Sequence, residues 1–225
     1  MTEGLILTLA VLGGTGKQGP ALAYRWARAG YHVLIGSRTQ ENAEAAAAAL
    51  NERLGGEIVR GLTNEAAARQ CNIAVLTVPY SAHRPMLEGL RPALAGKVLV
   101  DITVPLGADV TRASMPPAGS ACLEAQEILG PDVQVVAAFQ NISSVHLADD
   151  QPIPCDVLVC GDVPSAREQV LHLVEAAGLT GWDAGPLQNA MVVEGLTSVL
   201  LGINKRYKTR GAGIRITGIA PPRKE

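Results

Sequence analysis

The chain has 225 residues, enough to bury a full hydrophobic core in one large domain or in one domain with a smaller appendage. Apolar residues make up 48% and charged residues 18%, which excludes a disordered chain; a net charge of −2 gives no overall drive toward nucleic acid or acidic membranes. Four scattered cysteines (Cys71, Cys122, Cys155 and Cys160) exclude a disulfide framework, suggest no metal site, and read as small buried hydrophobes.

Residues 5–12 read as a first strand. The opening lacks a basic stretch and its apolar run passes straight into Gly13, so no secretory leader is expected. No stretch approaches the roughly 20 apolar residues of a membrane span, and the expected setting is the cytoplasm. A helix over 17–30 follows, then a second strand at 31–35, an alanine-rich helix around 40–54 and a short third strand at 57–60. A short helix at 64–70 leads to a fourth strand at 73–78, stopped by Pro79. A helix around 83–91 precedes a fifth strand at 97–101, and a sixth lies at 133–138. Strands that are apolar nearly throughout and separated by helices predict an α/β fold with a Rossmann-type doubly wound parallel sheet.

The rhythm changes after about residue 150. A strand at 157–160 lies between Cys155 and Cys160, whose odd separation points them to opposite faces. A helix at 164–177, a short extended piece at 181–183 and a longer helix opened by Pro186 complete the pattern. Leu187, Met191, Leu196, Val199, Leu200 and Ile203 recur at helical spacing and predict that helix's buried stripe. The reading is a nucleotide-binding domain over 1–150 with a smaller C-terminal α/β lobe over 151–225.

Gly14-Thr15-Gly16-Lys17-Gln18-Gly19 satisfies G-x-G-x-x-G between a strand and a helix. The first glycine permits the tight turn, the second lets the backbone approach a pyrophosphate, and the third allows close helix–strand packing. Sites for NAD place an acidic residue at the end of the second strand; here Ser37 and Arg38 stand there instead. A carboxylate would repel a 2′-phosphate, whereas a serine hydroxyl and a guanidinium bind one, so the expected nucleotide is NADP(H). Thr77-Val78-Pro79-Tyr80 follows the fourth strand, where ligands bind in such sheets, although Pro79 could equally be a strand stop. His32, His83, His146 and His172 are dispersed and read as surface or packing residues. No nucleophile–base pair is visible, so no catalytic side chain is expected.

Several stretches together resemble the NADPH-dependent reductases of the deazaflavin coenzyme F420: Leu12–Gly16, Gly36–Arg38, Ala74–Pro79, Cys160–Asp162, Asp183–Leu187 with Asn189, Glu194–Thr197 and Gly211–Ile214. The resemblance implies hydride exchange between NADP(H) and F420, with the deazaflavin in a cleft between the two lobes. It implies phosphate-loop contacts at Thr15 and Gly16, 2′-phosphate contacts at Ser37 and Arg38, and nicotinamide-side contacts near Thr77, Ile142 and Ser144. Ala212, Gly213 and Ile214 would lie by the deazaflavin. Two positions depart from the family: Asn42 stands where some relatives have a lysine, and Gln140-Asn141-Ile142-Ser143 stands where His-Thr-X-Pro is frequent. Hydride transfer between two bound cofactors needs alignment and exclusion of water rather than an acid–base pair.

Lys205, Arg206, Lys208, Arg210, Arg215, Arg223 and Lys224 occur without an acid until Glu225. Such a cluster suits the phosphodiester and glutamate tail of F420, and equally a solvated cationic tail after a helix. The apolar C-terminal helix and the resemblance together suggest a homodimer. Two other functions share the nucleotide site: an NADPH-dependent reductase of a flavin, ferric chelate or small carbonyl compound, and a non-catalytic NADP sensor.

Overall fold

A computed structural model describes residues 7–149 and 151–220. The strands are β1 (Thr8–Leu12), β2 (His32–Ser37), β3 (Val59–Thr63), β4 (Ile73–Leu76), β5 (Val98–Asp101), β6 (Gln134–Ala137), β7 (Asp156–Gly161) and β8 (Thr180–Asp183). The helices are α1 (Gln18–Arg28), α2 (Gln40–Leu54), α3 (Asn64–Gln70), α4 (Tyr80–Leu94), α5 (Ala121–Leu129), α6 (Ser144–Ala148), α7 (Pro164–Ala176) and α8 (Ala190–Tyr207), the last preceded by a 3₁₀ turn at Leu187–Asn189. The strands form one sheet in the order β3-β2-β1-β4-β5-β6-β7-β8.

Alternation of side chains along each strand sorts the core into two layers. Leu9 and Val11, Ile73 and Val75, Val98 and Val100 face one layer with α1, α2 and α7. Ala10 and Leu12, Ala74 and Leu76, and Leu99 face the other, with α3, α4 and α5. Cys155 belongs to the first layer and Cys160 to the second, as their odd separation requires, and all four cysteines are buried and unpaired. Two residues of α1 sew the early and late parts of the chain together. Trp26 Nε1 donates to Leu173 O at 2.8 Å, and Arg25 donates to Leu147 O at 2.9 Å and Ala177 O at 2.8 Å.

The structure departs from the expected pattern in three places. β7 runs antiparallel to β6, with Val136 opposite Gly161 and Ala137 opposite Cys160, so the sheet is mixed rather than wholly parallel. α5 and α6 carry no sequence-based expectation, although Ser120 caps α5 by accepting from Leu123 N. Finally, α8 does not bury its expected stripe. Leu187 and Leu200 are buried, but Met191, Val199 and Ile203 are exposed, and Val193, Glu194 and Ser198 face inward. The inward face is chosen by a carboxylate with specific partners rather than by apolar spacing alone.

Candidate functional site

The site is built where β1, β2, β4, β5 and β6 all end. After Leu12 the chain turns at Gly13, whose φ of 69° glycine adopts without steric cost. The turn is braced from both sides. Gly13 N–H donates to Asn64 Oδ1 at 2.9 Å and Gly14 N–H to Gly36 O at 2.9 Å. Thr77 donates to Leu12 O through its N–H at 2.9 Å and its Oγ1 at 3.0 Å. α1 then starts with no side-chain cap and no acidic residue in its first turn. Its leading N–H groups and the positive end of its dipole suit an anionic group.

The three glycines hold distinct spaces. A Cβ on Gly14 would lie 2.6 Å from Val11 O, and one on Gly19 would lie 2.8 Å from Gly14 Cα and 2.9 Å from Thr77 Oγ1. At Gly16 a Cβ would meet nothing within 4 Å, so this face of the turn is open. The first and third glycines thus close the turn against strand and helix, and the second leaves the cradle clear for a pyrophosphate. Gly19→Ala is expected to push α1 away from the turn and weaken NADP binding roughly tenfold, measured by nucleotide fluorescence titration. Wild-type affinity would mean that the turn absorbs the methyl group.

β2 ends with Ser37 buried and Arg38 exposed beside the turn. Thr39 follows as the cap of α2, accepting from Asn42 N at 3.3 Å, so Asn42 lies in the helix's first turn.

A cleft of about 590 Å³ opens next to the turn, within the size range of small-molecule sites. Gly16, Lys17 and Gln18 line it from the turn, Thr77, Val78 and Pro79 from the end of β4, and Ile102 and Thr103 from the end of β5. Ile142 and Ser144 line it after β6, and Thr197, Leu201, Asn204, Arg210 and Ala212 close it from the C-terminal side. The structure therefore brings Gly16, Lys17, Gln18, Thr77, Pro79, Ile142, Ser144 and Ala212 to one place. Gly14 and Gly19 shape the turn behind them, Thr15 is exposed on it, and Ser37 and Arg38 stand at the adjoining strand end.

Tyr80, Gly213 and Ile214 are not part of this lining. Tyr80 donates from its hydroxyl to Glu124 Oε2 at 2.7 Å, and burial together with that carboxylate pushes its pKa up to about 12. Ile214 belongs to a strap over 210–216 that is pinned to the start of β7. Asp156 N donates to Ile214 O at 2.8 Å and Ile216 N to Asp156 Oδ2 at 2.8 Å. The strap also bonds to α6 and α8: His146 Nε2 lies 3.2 Å from Gly211 O, and Ala212 N donates to Asn204 Oδ1 at 2.9 Å. A Cβ on Gly213 would lie 2.4 Å from Cys155 Sγ, so glycine is what lets the strap lie flat there. Lys205, Arg206, Lys208, Arg210 and Arg215 are all exposed around it; Arg223 and Lys224 lie outside the described residues.

Sequence reasoning passes over Asn64 and names Gln140 and Asn141 only as a departure from the family, without a role. Asn64 braces the glycine turn across 51 positions of sequence, a partnership no local motif announces. Gln140 and Asn141 line the cleft with buried side-chain oxygens, Oε1 and Oδ1, that have no hydrogen-bond partner. Their amide nitrogens are committed elsewhere, Gln140 Nε2 to Asp101 O at 2.8 Å and Asn141 Nδ2 to Asp156 O at 2.7 Å. Two buried acceptors left open beside a cleft suit a ligand carrying N–H donors, such as a carboxamide. Just before them Phe139 takes φ 69°, a strained value for a bulky residue. It is held there by full burial and by an edge-to-face contact with Trp26 at 5.8 Å.

Behind the cleft lies a buried charged cluster. His83 Nε2 and Asp101 Oδ2 are 2.7 Å apart with both side chains fully buried. Asp101 Oδ1 accepts from Thr103 N at 3.0 Å, which fixes one wall of the cleft. Glu124 accepts from Tyr80 and, at 2.5 Å, from Arg84 Nη2. Burial pulls the His83 pKa down, but the hydrogen bond and charge of Asp101, with Glu124 and Glu194 behind, outweigh it and hold the imidazole above its ordinary value. His83 is thus a buried packing residue whose imidazole is tied to Asp101.

The comparison with known proteins agrees with this geometry. The model of the family described as "NADP oxidoreductase coenzyme F420-dependent" matches residues 8–105. The F420-dependent NADP reductase of Methanocaldococcus jannaschii is 38% identical over 223 residues, covering 95% of this chain and 99% of that protein. This chain belongs to the F420-dependent NADP reductases. Another member of the family, from Methanothermobacter marburgensis, is 40% identical over 222 residues, covering 95% of this chain and 99% of its own. A solved structure from Arthrobacter sp. FB24, 24% identical, shares the fold with a TM-score of 0.79 over 94% of this chain and 100% of that one.

Proposed function

We propose that the chain exchanges a hydride between NADP(H) and F420, with both reacting rings in the 590 Å³ cleft. The observation that carries the reading is a single cleft with two unlike ends: a glycine turn and helix N-terminus at one, and α8 with a basic strap at the other. NADPH supplies a hydride, and oxidised F420 takes up that hydride with a solvent proton. The protein's part is to bind, align and keep out water, which needs no acid–base side chain.

In this reading residues 1–150 hold NADP(H). Gly14–Gly19 and the start of α1 receive the pyrophosphate, and Ser37 and Arg38 the 2′-phosphate. Thr77, Pro79, Ile142 and Ser144 lie along the nicotinamide side, where the open oxygens of Gln140 and Asn141 would accept from its carboxamide. Residues 151–225 supply the F420 side through α8 and Ala212, with Gly213 and Ile214 in the strap behind. Four unpaired buried cysteines suit a reducing cytoplasm. No described helix is long and apolar enough to cross a membrane.

Purified protein mixed with NADPH and oxidised F420 should lose absorbance from both in step. Oxidation of NADPH by riboflavin or a ferric chelate but not by F420 would replace this reading with a different reductase. The basic strap gives a second expectation: the dissociation constant of F420 should rise with salt, the anionic tail being held by exposed cations. A salt-independent constant, from fluorescence titration, would leave those cations as solvated charge.

We also propose a homodimer through α8. Val192, Val199, Ile203 and Tyr207 form an exposed apolar stripe at helical spacing, 39–72% exposed, with Leu106 and Val110 also exposed. A second copy of the same chain is its natural cover, since a self-complementary stripe closes with two-fold symmetry. Light scattering should give twice the 23.4 kDa chain mass, and Val199→Arg should return it to that mass.

A further inference from the structure

We propose that Glu194, buried and outside the cleft lining, is the positioning residue that sets the F420-side wall of the cleft, by docking α8 on the N-terminus of α5. This rests on the assignment of that wall to F420. Glu194 is fully buried, and its carboxylate accepts from Ala121 N at 2.7 Å and Cys122 N at 3.0 Å, the first two N–H groups of a nine-residue helix. From that anchor the same face of α8 carries further holds at helical spacing. Thr197 donates to Gln140 O at 2.9 Å, Leu201 lines the cleft, and Asn204 holds the strap through Ala212 N. The register of these three groups over the cleft is therefore fixed by where residue 194 is tied. Val193, Ser198 and Leu200 pack on the same side, but Glu194 is the one buried carboxylate of α8 and ties it to the backbone of α5.

The anchor is sensitive to pH. Burial pushes the Glu194 pKa up to about 7; the N–H groups of Ala121 and Cys122 oppose the shift and Asp101 adds to it. The groups facing it are Asp101 of β5, His83 and Tyr80 of α4, Cys122 of α5 and Cys160 of β7, with Glu124 of α5 and Arg84 of α4 completing the cluster around His83. A carboxyl raised on docking favours the docked state while protonated and loses that contribution as pH rises through the raised value. Docking of α8 is thus tightest near and below the ordinary carboxyl value of 4.5, weakens as pH rises from there to about 7, and is loosest above it.

The test compares wild type with Glu194→Gln, which keeps the shape and removes the titration. In wild type the ratio of KM for F420 to that of the variant should change several-fold between about pH 6 and pH 8, while the dissociation constant for NADPH moves in parallel in the two proteins. Titration of F420 itself is common to both and cancels in the ratio. Glu194→Leu, which accepts from neither N–H, should raise KM for F420 about tenfold with NADPH affinity retained. Leu201→Ala reports on the wall directly. If it raises KM for F420 and both Glu194 variants leave KM and its pH profile as in wild type, the proposal is overturned and the wall assignment stands. If none of the three alters KM for F420, both are overturned. Should the variants fail to fold, hydrogen exchange of α8 amides in the unmodified protein decides, after correction for intrinsic rates. Protection that falls as pH rises from about 5 to about 7 supports the anchor, and flat protection over that range removes it.

Discussion

Asp101→Asn should destabilise the fold by about 1.5–3 kcal/mol, because it replaces the carboxylate in a buried hydrogen bond to His83 and weakens it. For a chain of this size that is a fall in Tm of roughly 3–12 °C, readable by scanning calorimetry or urea unfolding. The pair stands on a 2.7 Å contact between two fully buried side chains, so solvent screens little of it. The sign of its pH dependence follows from the raised His83 pKa. The stabilisation is fully present below the unfolded-state value near 6.5 and is lost as pH rises through the higher folded value. Wild type should therefore shed stability as pH rises above about 6.5, and Asp101→Asn should show less of that slope. Equal stability and equal slope in the two proteins would mean that the pair contributes nothing net.

Arg38→Ala is expected to cut the preference for NADP over NAD by roughly 10- to 100-fold, the loss of one charge-assisted hydrogen bond to a 2′-phosphate. The effect should appear in KM for the nucleotide, with kcat for NADPH nearly kept, since the 2′-phosphate is far from the reacting ring and contributes uniform binding. Asn42 offers no compensating cation, so this chain should depend on Arg38 more than a relative with a lysine there. An Arg38→Ala protein that keeps its full discrimination would shift the burden to Ser37 and the turn.

Much of this was legible because local rules and the global fold agree. The strands β1, β4 and β5 are short apolar runs bounded by turn residues, and the Gly14–Gly19 spacing has one economical use after a strand. The cleft was legible only in pieces. Gly16, Thr77 and Ile142 could be named, but their convergence depends on strand order, which the sequence does not print. The stripe on α8 was misjudged for a specific reason: apolar spacing ranks Met191, Val199 and Ile203 as core, yet Glu194 and Ser198 face inward. A buried carboxylate that satisfies two helix N–H groups outweighs three apolar side chains in choosing the inward face, and its partners lie 73 and 72 residues away. Asn64 escaped notice, and Gln140 and Asn141 were given no role, on the same ground: what they do is defined by distant backbone groups.

The reversal of β7 determines where the chain can grow. Because this strand runs against its neighbour, its beginning at Asp156 lies beside Asn141 at the ligand edge, and its end at Gly161 leads away from it. Extra residues inserted just ahead of Asp156 would lie beside Asn141 at the edge of the cleft, away from the nucleotide turn. Extra residues after Gly161 would alter only the remote rim. Diversification of what such a protein reduces should therefore accumulate in the approach to β7, on the side where a doubly wound sheet with every strand aligned would offer only the exits of its strands.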